Sequence, residues 1–156
     1  MPESGVGLGF DVHAFGPGRE LWLGGLLFEG EDGLSGHSDG DVVCHAVADA
    51  LLGAAAMGDV GEHFPETAPE TAGIAGSELL GRTVRILSDR GRTPVSMDVT
   101  IVCDRPRIAP RRGEMRDQLA AIVGIPVDHV SVKATRPEGL GLVGDGIGCL
   151  ALAMVR

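Results

Sequence analysis

Residues 6 to 13 alternate without a break: Val6, Leu8, Phe10 and Val12 fall on one side of the chain, Gly7, Gly9, Asp11 and His13 on the other. A period of two specifies a strand. A second apolar run, Leu21 to Phe28, is interrupted by Gly24-Gly25 and reads as a hairpin. From Asp41 to Met57 the period becomes helical. Val43, Val47, Ala50, Leu51 and Ala54 form an apolar stripe, and Ser38 or Asp39 is placed to cap its start. Asp41, His45 and Asp49, spaced i, i+4 and i+8, form a polar stripe opposite. Gly58 to Gly76, with Pro65 and Pro69, has no period and reads as an irregular loop of a length that suggests function. A helix follows from Ser77 to Arg90, with Leu80, Val84 and Leu87 inward and Gly91 as its stop. Val95 to Cys103 alternates again as a strand. Arg111 to Val123 forms a helix closed by Gly124 and Pro126, and Val130 to Ala134 and Ile147 to Val155 are the last strands. The order predicts an α+β domain, a mixed four-stranded sheet with helices covering one face.

Nothing in composition disturbs that picture. A chain of 156 residues with 44% hydrophobic and 22% charged residues suits one folded domain spanning 1–156, without repeat or linker. Twenty-five glycines beside four Phe, one Trp and no Tyr predict many tight turns around an aliphatic core. The net charge of −9 argues against nucleic acid and anionic membrane surfaces as partners. A small phosphorylated ligand stays compatible, because a metal ion or local arginines can invert the field within one site. Met1-Pro2-Glu3-Ser4 has no basic leader character, and no apolar run reaches membrane-spanning length. Cys44, Cys103 and Cys149 are odd in number and widely spaced, which fits reduced thiols in a cytoplasmic protein.

Chemistry gathers in three places. Asp11-x-His13 puts a carboxylate and an imidazole on one strand face, their Cα atoms about 6.5–7 Å apart, and His45 offers a third donor from the helix. Asp, His, His with one open position is a catalytic zinc arrangement, although a solvated strand face explains the first two equally. Asp49 is placed to accept from the second ring nitrogen of His45. The string Gly36-His37-Ser38-Asp39-Gly40-Asp41 precedes the helix, where free N–H groups suit a phosphate and a capped turn is the plainer alternative. After a strand, Lys133-Ala134-Thr135-Arg136-Pro137-Glu138-Gly139 offers Thr135 and Arg136 to phosphate oxygens and Glu138 to a hard cation; a Gly/Pro turn explains the same residues. Gly5-x-Gly7-x-Gly9 lacks dinucleotide-binding spacing and no helix follows it. His63 and His129 read as structural or surface histidines.

Taken in order along nearly the whole chain, these strings resemble the 2-C-methyl-D-erythritol 2,4-cyclodiphosphate synthase family. The matching segments are Gly9-Phe10-Asp11-Val12-His13, His37-Ser38-Asp39-Gly40-Asp41 with His45, Asp49 to Ala55, Gly58-Asp59-Val60-Gly61 and Phe64-Pro65. Asp98 to Ile101, Arg105-Pro106-Arg107, Val132 to Thr135 and Gly139-Leu140-Gly141 continue the match. The resemblance implies a homotrimer with active sites between subunits and a cytidine diphosphate substrate, 4-diphosphocytidyl-2-C-methyl-D-erythritol 2-phosphate. It implies Zn²⁺ on Asp11, His13 and His45, and Mg²⁺ or Mn²⁺ held with the help of Glu138. His37 matches a transition-state stabiliser, and His37-Ser38 a phosphate contact.

By the same resemblance Asp59, Val60 and Gly61, with Phe64, Pro65, Glu66, Thr67 and Ala68, bind the methylerythritol part. Cys103, Asp104, Arg105, Pro106, Arg107, Ile108 and Ala109 form the cytosine pocket. Asp11, Val12, His13, Thr135, Arg136, Pro137, Glu138, Leu142 and Asp145 complete the substrate-binding set. The chain departs from the family at Arg136, where a catalytic threonine is usual, and at Asp145 and Ile147, where arginine and glutamate are usual. With those two replaced, isoprenoid diphosphate capture on the trimer axis is expected to be lost. Two rival readings are a non-catalytic nucleotide- or metal-binding relative and an unrelated zinc hydrolase.

Overall fold

A computed structural model describes residues 3–156; Met1 and Pro2, part of the leader reading, lie outside the described residues. The chain runs β1 (Gly5–Gly16), β2 (Leu21–Leu23), β3 (Leu26–Phe28), β4 (Gly33–Leu34), α1 (Val42–Ala54), α2 (Val60–His63), α3 (Gly76–Asp89), β5 (Pro94–Val102), α4 (Arg112–Val123), β6 (Val130–Thr135) and β7 (Gly146–Val155). The main sheet has five strands in the order β4-β1-β7-β5-β6, not four. The extra strand is β4, whose two residues pair Phe15 with Leu34 and Gly16 with Gly33, too short a stretch to show a period. β1–β7 and β5–β7 are antiparallel, while β5 and β6 are parallel, so the sheet is mixed as expected. A parallel pair needs a crossover, supplied here by α4, which packs on β6. The Leu21–Phe28 hairpin forms as β2 and β3, a separate two-stranded sheet. Gly24 and Gly25, at φ 62° and 77°, supply the left-handed pair its tight turn needs.

Helix α1 lies on β1 and β7, and α3 packs on α1. Val42, Val43, Cys44, Ala46, Val47, Ala48, Ala50, Leu51 and Leu52 are all fully buried, so α1 is covered almost all round. Its seat explains the glycines of β1. A Cβ added at Gly5, Gly7 or Gly9 would stand 1.9, 2.0 and 1.8 Å from the carbonyl oxygens of Ala54, Ala50 and Ala46. The strand therefore rests directly on the helix backbone. The apolar side of β1 consequently faces outward: Val6, Leu8 and Phe10 are 68, 63 and 51% exposed. Across the ladder they oppose Met154, Leu152 and Leu150, which are also exposed.

Of the polar stripe expected on α1, His45 and Asp49 line one cleft, but Asp41 does not join them. Asp41 is fully buried and serves as the N-cap in place of Ser38 or Asp39, accepting from Val43 N and Cys44 N. The 58–76 stretch holds α2 and a single 3-10 turn at Pro69–Thr71 rather than being irregular throughout.

Candidate active site

The side chains of Asp11 and His13 project from the second half of β1 on the side that carries α1, and His45 meets them from that helix. His13 Nε2 and His45 Nδ1 lie 3.2 and 3.1 Å from the same oxygen, Asp11 Oδ2. One donor atom from each residue falls within 4.8 Å of the others, and among the described residues this is the grouping of metal-donor side chains. Burial alone would raise the Asp11 carboxyl, but hydrogen bonds and charge from His13 and His45 outweigh it and hold the group at about 2. Burial likewise works against the His45 imidazolium, while Asp11 outweighs it and raises the imidazole. A carboxylate and two imidazoles converging at this range are a donor set suited to a divalent cation such as zinc.

These donors line a cleft of about 210 Å³, together with His37, Ser38, Asp49, Val60, Gly61, Phe64, Glu66, Thr71, Ile74 and Leu79. Ser38 is buried, and its Oγ lies 3.0 Å from His45 Nε2. That corrects the expectation for Asp49, whose Oδ1 instead accepts from Val60 N at 2.7 Å. Asp49 thus fixes the start of α2, and burial raises its carboxyl. Asp59 caps α2, accepting from Glu62 N. Pro65, Thr67 and Ala68 continue the same loop, while the Val12 side chain is on the outward face of β1 and 40% exposed. Thr71, Ile74 and Leu79 were not foreseen; they carry no motif, and the loop brings Thr71 and Ile74 to the cleft while Leu79 reaches it from the first turn of α3.

A second cleft, about 240 Å³, is lined by Cys103, Asp104, Pro106, Arg107, Ile108, Ala109, Arg112, Ala134, Thr135 and Arg136. It shares no lining residue with the first. Of the predicted cytosine-pocket residues only Arg105 is absent. Its guanidinium stacks on Phe15 at 3.9 Å and pairs with Asp32 and Asp145 at 3.1 and 3.6 Å. Cys103 donates to Pro106 O, and burial pushes its thiol up to about 11. Arg112 and Ala134 join the lining unforeseen. Pro137, Glu138, Leu142 and Asp145 lie between β6 and β7; Glu138 is exposed at φ 54° and stands outside the Asp11, His13, His45 group. Ile147 is fully buried. The two histidines set aside meet backbone carbonyls, His63 that of Met57 and His129 that of Val95.

An α+β fold of helices on one face of a mixed sheet, with a carboxylate–diimidazole cluster in a cleft beside a short Gly-His-Ser loop, defines a protein whose cleft could hold a metal ion. Residues 5–156 match the family model described as YgbB family. The chain belongs to the YgbB family.

It is 51% identical over 153 residues to a 2-C-methyl-D-erythritol 2,4-cyclodiphosphate synthase of Phocaeicola vulgatus, covering 97% of this chain and 96% of that one. It is 48% identical over 150 residues to a bifunctional IspD/IspF enzyme of Caulobacter vibrioides, covering 96% of this chain. The match spans only 39% of that relative's own length. A solved 2C-methyl-D-erythritol-2,4-cyclodiphosphate synthase in its CDP-bound form superposes with a TM-score of 0.89 at 32% identity, covering 97% of this chain and 99% of that one.

Proposed function

We propose that the chain converts 4-diphosphocytidyl-2-C-methyl-D-erythritol 2-phosphate to 2-C-methyl-D-erythritol 2,4-cyclodiphosphate and CMP. The observation that carries this reading is the convergence of Asp11, His13 and His45 beside His37 and Ser38 in one cleft. The names of the relatives favour it over a binding-only protein. Asp11, His13 and His45 would hold Zn²⁺, and Glu138 would help hold Mg²⁺ or Mn²⁺. Bound cations supply polarisation and charge neutralisation at diphosphate oxygens.

The residues do the remaining work by position. An oxygen of the substrate's 2-phosphate attacks the β-phosphorus. The bond from that phosphorus to the oxygen bridging it to the α-phosphate breaks, and CMP leaves with the bridging oxygen. The nucleophile is already anionic, so no strong base is required; alignment and charge stabilisation suffice. His37 and Ser38 orient phosphate oxygens. Asp59, Val60 and Gly61 and the 64–68 loop enclose the methylerythritol part, while residues 103–109 with Thr135 receive the cytidine end. Arg136 takes the place usually held by threonine, offering a longer, charged donor.

A homotrimer with each site built between neighbours is part of the proposal. Two features support it: the metal-donor cleft and the second cleft are separate on one chain, and β1 and β7 expose a continuous apolar face. A cytoplasmic setting accords with three unpaired, buried cysteines. No helix among the described residues is long and apolar enough to cross a membrane.

Product analysis tests the reading. Incubated with substrate, Zn²⁺ and Mg²⁺, the protein should release CMP and cyclic diphosphate in equal amounts by phosphorus NMR, and His45→Ala should abolish both. CMP without the cyclic product would indicate a hydrolase. No turnover by a folded, metal-loaded protein would indicate a binding-only relative.

A further inference from the structure

We propose that Arg19 is a positioning residue for the cation site, acting through the Ser38 hydroxyl; the proposal rests on the reading above only in that Asp11, His13 and His45 hold a divalent cation. Arg19 lies in the turn between β1 and β2, its own carbonyl fixed by Gly33 N at 3.0 Å. Its guanidinium reaches across to the 36–39 loop, Nη1 donating to Gly36 O at 2.9 Å and Nη2 to Ser38 O. From the opposite side Gly73 N donates to His37 O at 3.1 Å, and Asp39 N donates to Ile74 O at 3.3 Å. A loop with no ladder of its own thus has three successive carbonyls held, two of them by one side chain.

What the clasp fixes is a hydroxyl. Ser38 Oγ lies 3.0 Å from His45 Nε2 and 3.3 Å from Gly40 N. The other ring nitrogen, Nδ1, faces Asp11 Oδ2 at 3.1 Å. A cation shared with Asp11 and His13 needs the lone pair on Nδ1, so the ring proton must stay on Nε2, and Ser38 Oγ is its acceptor. The Ser38 oxygen then accepts from both His45 and Gly40, which leaves its single proton free to donate to an anionic oxygen in the cleft. Arg19 therefore touches neither cation nor substrate. It holds the backbone that keeps one oxygen in register with both.

The test is a thermodynamic cycle on metal affinity. Metal-free wild type, Arg19→Met, Ser38→Ala and the double variant are titrated with Zn²⁺ against a chromophoric chelator, with circular dichroism and thermal unfolding confirming the fold. Each single variant should bind Zn²⁺ about 10-fold more weakly, the low end for loss of an outer hydrogen-bond partner. The double variant should bind no more weakly than Ser38→Ala alone, because Arg19 acts through Ser38. Arg19→Lys should recover much of the loss, and Arg82→Met, which removes an exposed arginine of α3, should cause none.

Wild-type affinity in either single variant, additive losses in the double variant, or no Zn²⁺ binding by the wild type would each overturn the assignment. Should Arg19→Met not fold, Arg19→Gln, too short to hold both carbonyls, takes its place in the cycle with Ser38→Ala and should show the same loss. A wild type that shows the coupling but makes no cyclic product keeps Arg19 assigned and removes the synthase reading. One that cyclises without the coupling does the reverse.

Discussion

Four backbone N–H groups converge on the carboxyl of Asp41. Val43 N and Cys44 N come from the first turn of α1, and Gly24 N and Gly25 N come from the β2–β3 turn, all at 2.8–3.1 Å. One side chain thereby ties a hairpin to the helix that carries His45. Asp41→Ala should cost about 3 kcal/mol or more in urea unfolding, because it removes a cap and leaves buried donors unpaired; a loss under about 1 kcal/mol would refute that role. At this scale Asp11 and His13 were legible, since strand parity fixes which side chains share a face, and His45 stood out as a histidine in an otherwise apolar helical segment. Asp41 and Asp49 were misjudged because helical spacing gives an angle around the axis and says nothing of what covers it. Asp39 shows the same gap: its Oδ2 accepts from Gly76 N at 2.9 Å and so caps α3 from a distant loop. Burial raises that carboxyl.

Elements long enough to show a period were found within three residues of their ends, from β1 to β7. Those that are too short, β4 and α2, exist because tertiary partners hold them: β4 through β1, α2 through Asp49 and Asp59. The glycines of β1 were read only as failing a nucleotide motif; their use became visible once α1 was seen to lie on them. A contrast between two glycines measures that contact. Gly9→Ala places a methyl 1.8 Å from Ala46 O and should cost more than about 3 kcal/mol or prevent folding. Gly81→Ala, on α3 with nothing within 4 Å of the new methyl, should stabilise by about 0.5–1 kcal/mol. Equal denaturation midpoints for the two would contradict the packing described.

For the whole molecule, the outward face of β1 and β7 is the feature a lone chain leaves unexplained. Leu8 lies opposite Leu152, between the Val6–Met154 and Phe10–Leu150 pairs. Under the proposed assembly, wild type should sediment with the mass of three chains and Leu8→Glu as one. The monomeric variant should still bind Zn²⁺, since the three donors belong to one chain, yet fail to form product because the second cleft has lost its neighbour. A monomeric, active wild type would remove the trimer from the account. That the α+β class was legible follows from strong periods. The assembly entered only through resemblance, because an apolar strand face looks the same whether a helix or another subunit covers it.

The two sides of β1 carry a consequence for how this segment can change over evolutionary time. Even-numbered positions from Val6 to Val12 face outward, and odd-numbered ones from Gly5 to His13 face α1 and the cleft. Inserting or deleting one residue there would exchange the two roles for everything on one side of the edit, sending leucine toward helix backbone and histidine toward solvent. The outward positions can therefore drift by substitution, but the segment cannot change length by a single residue, and its frame is locked from two directions at once.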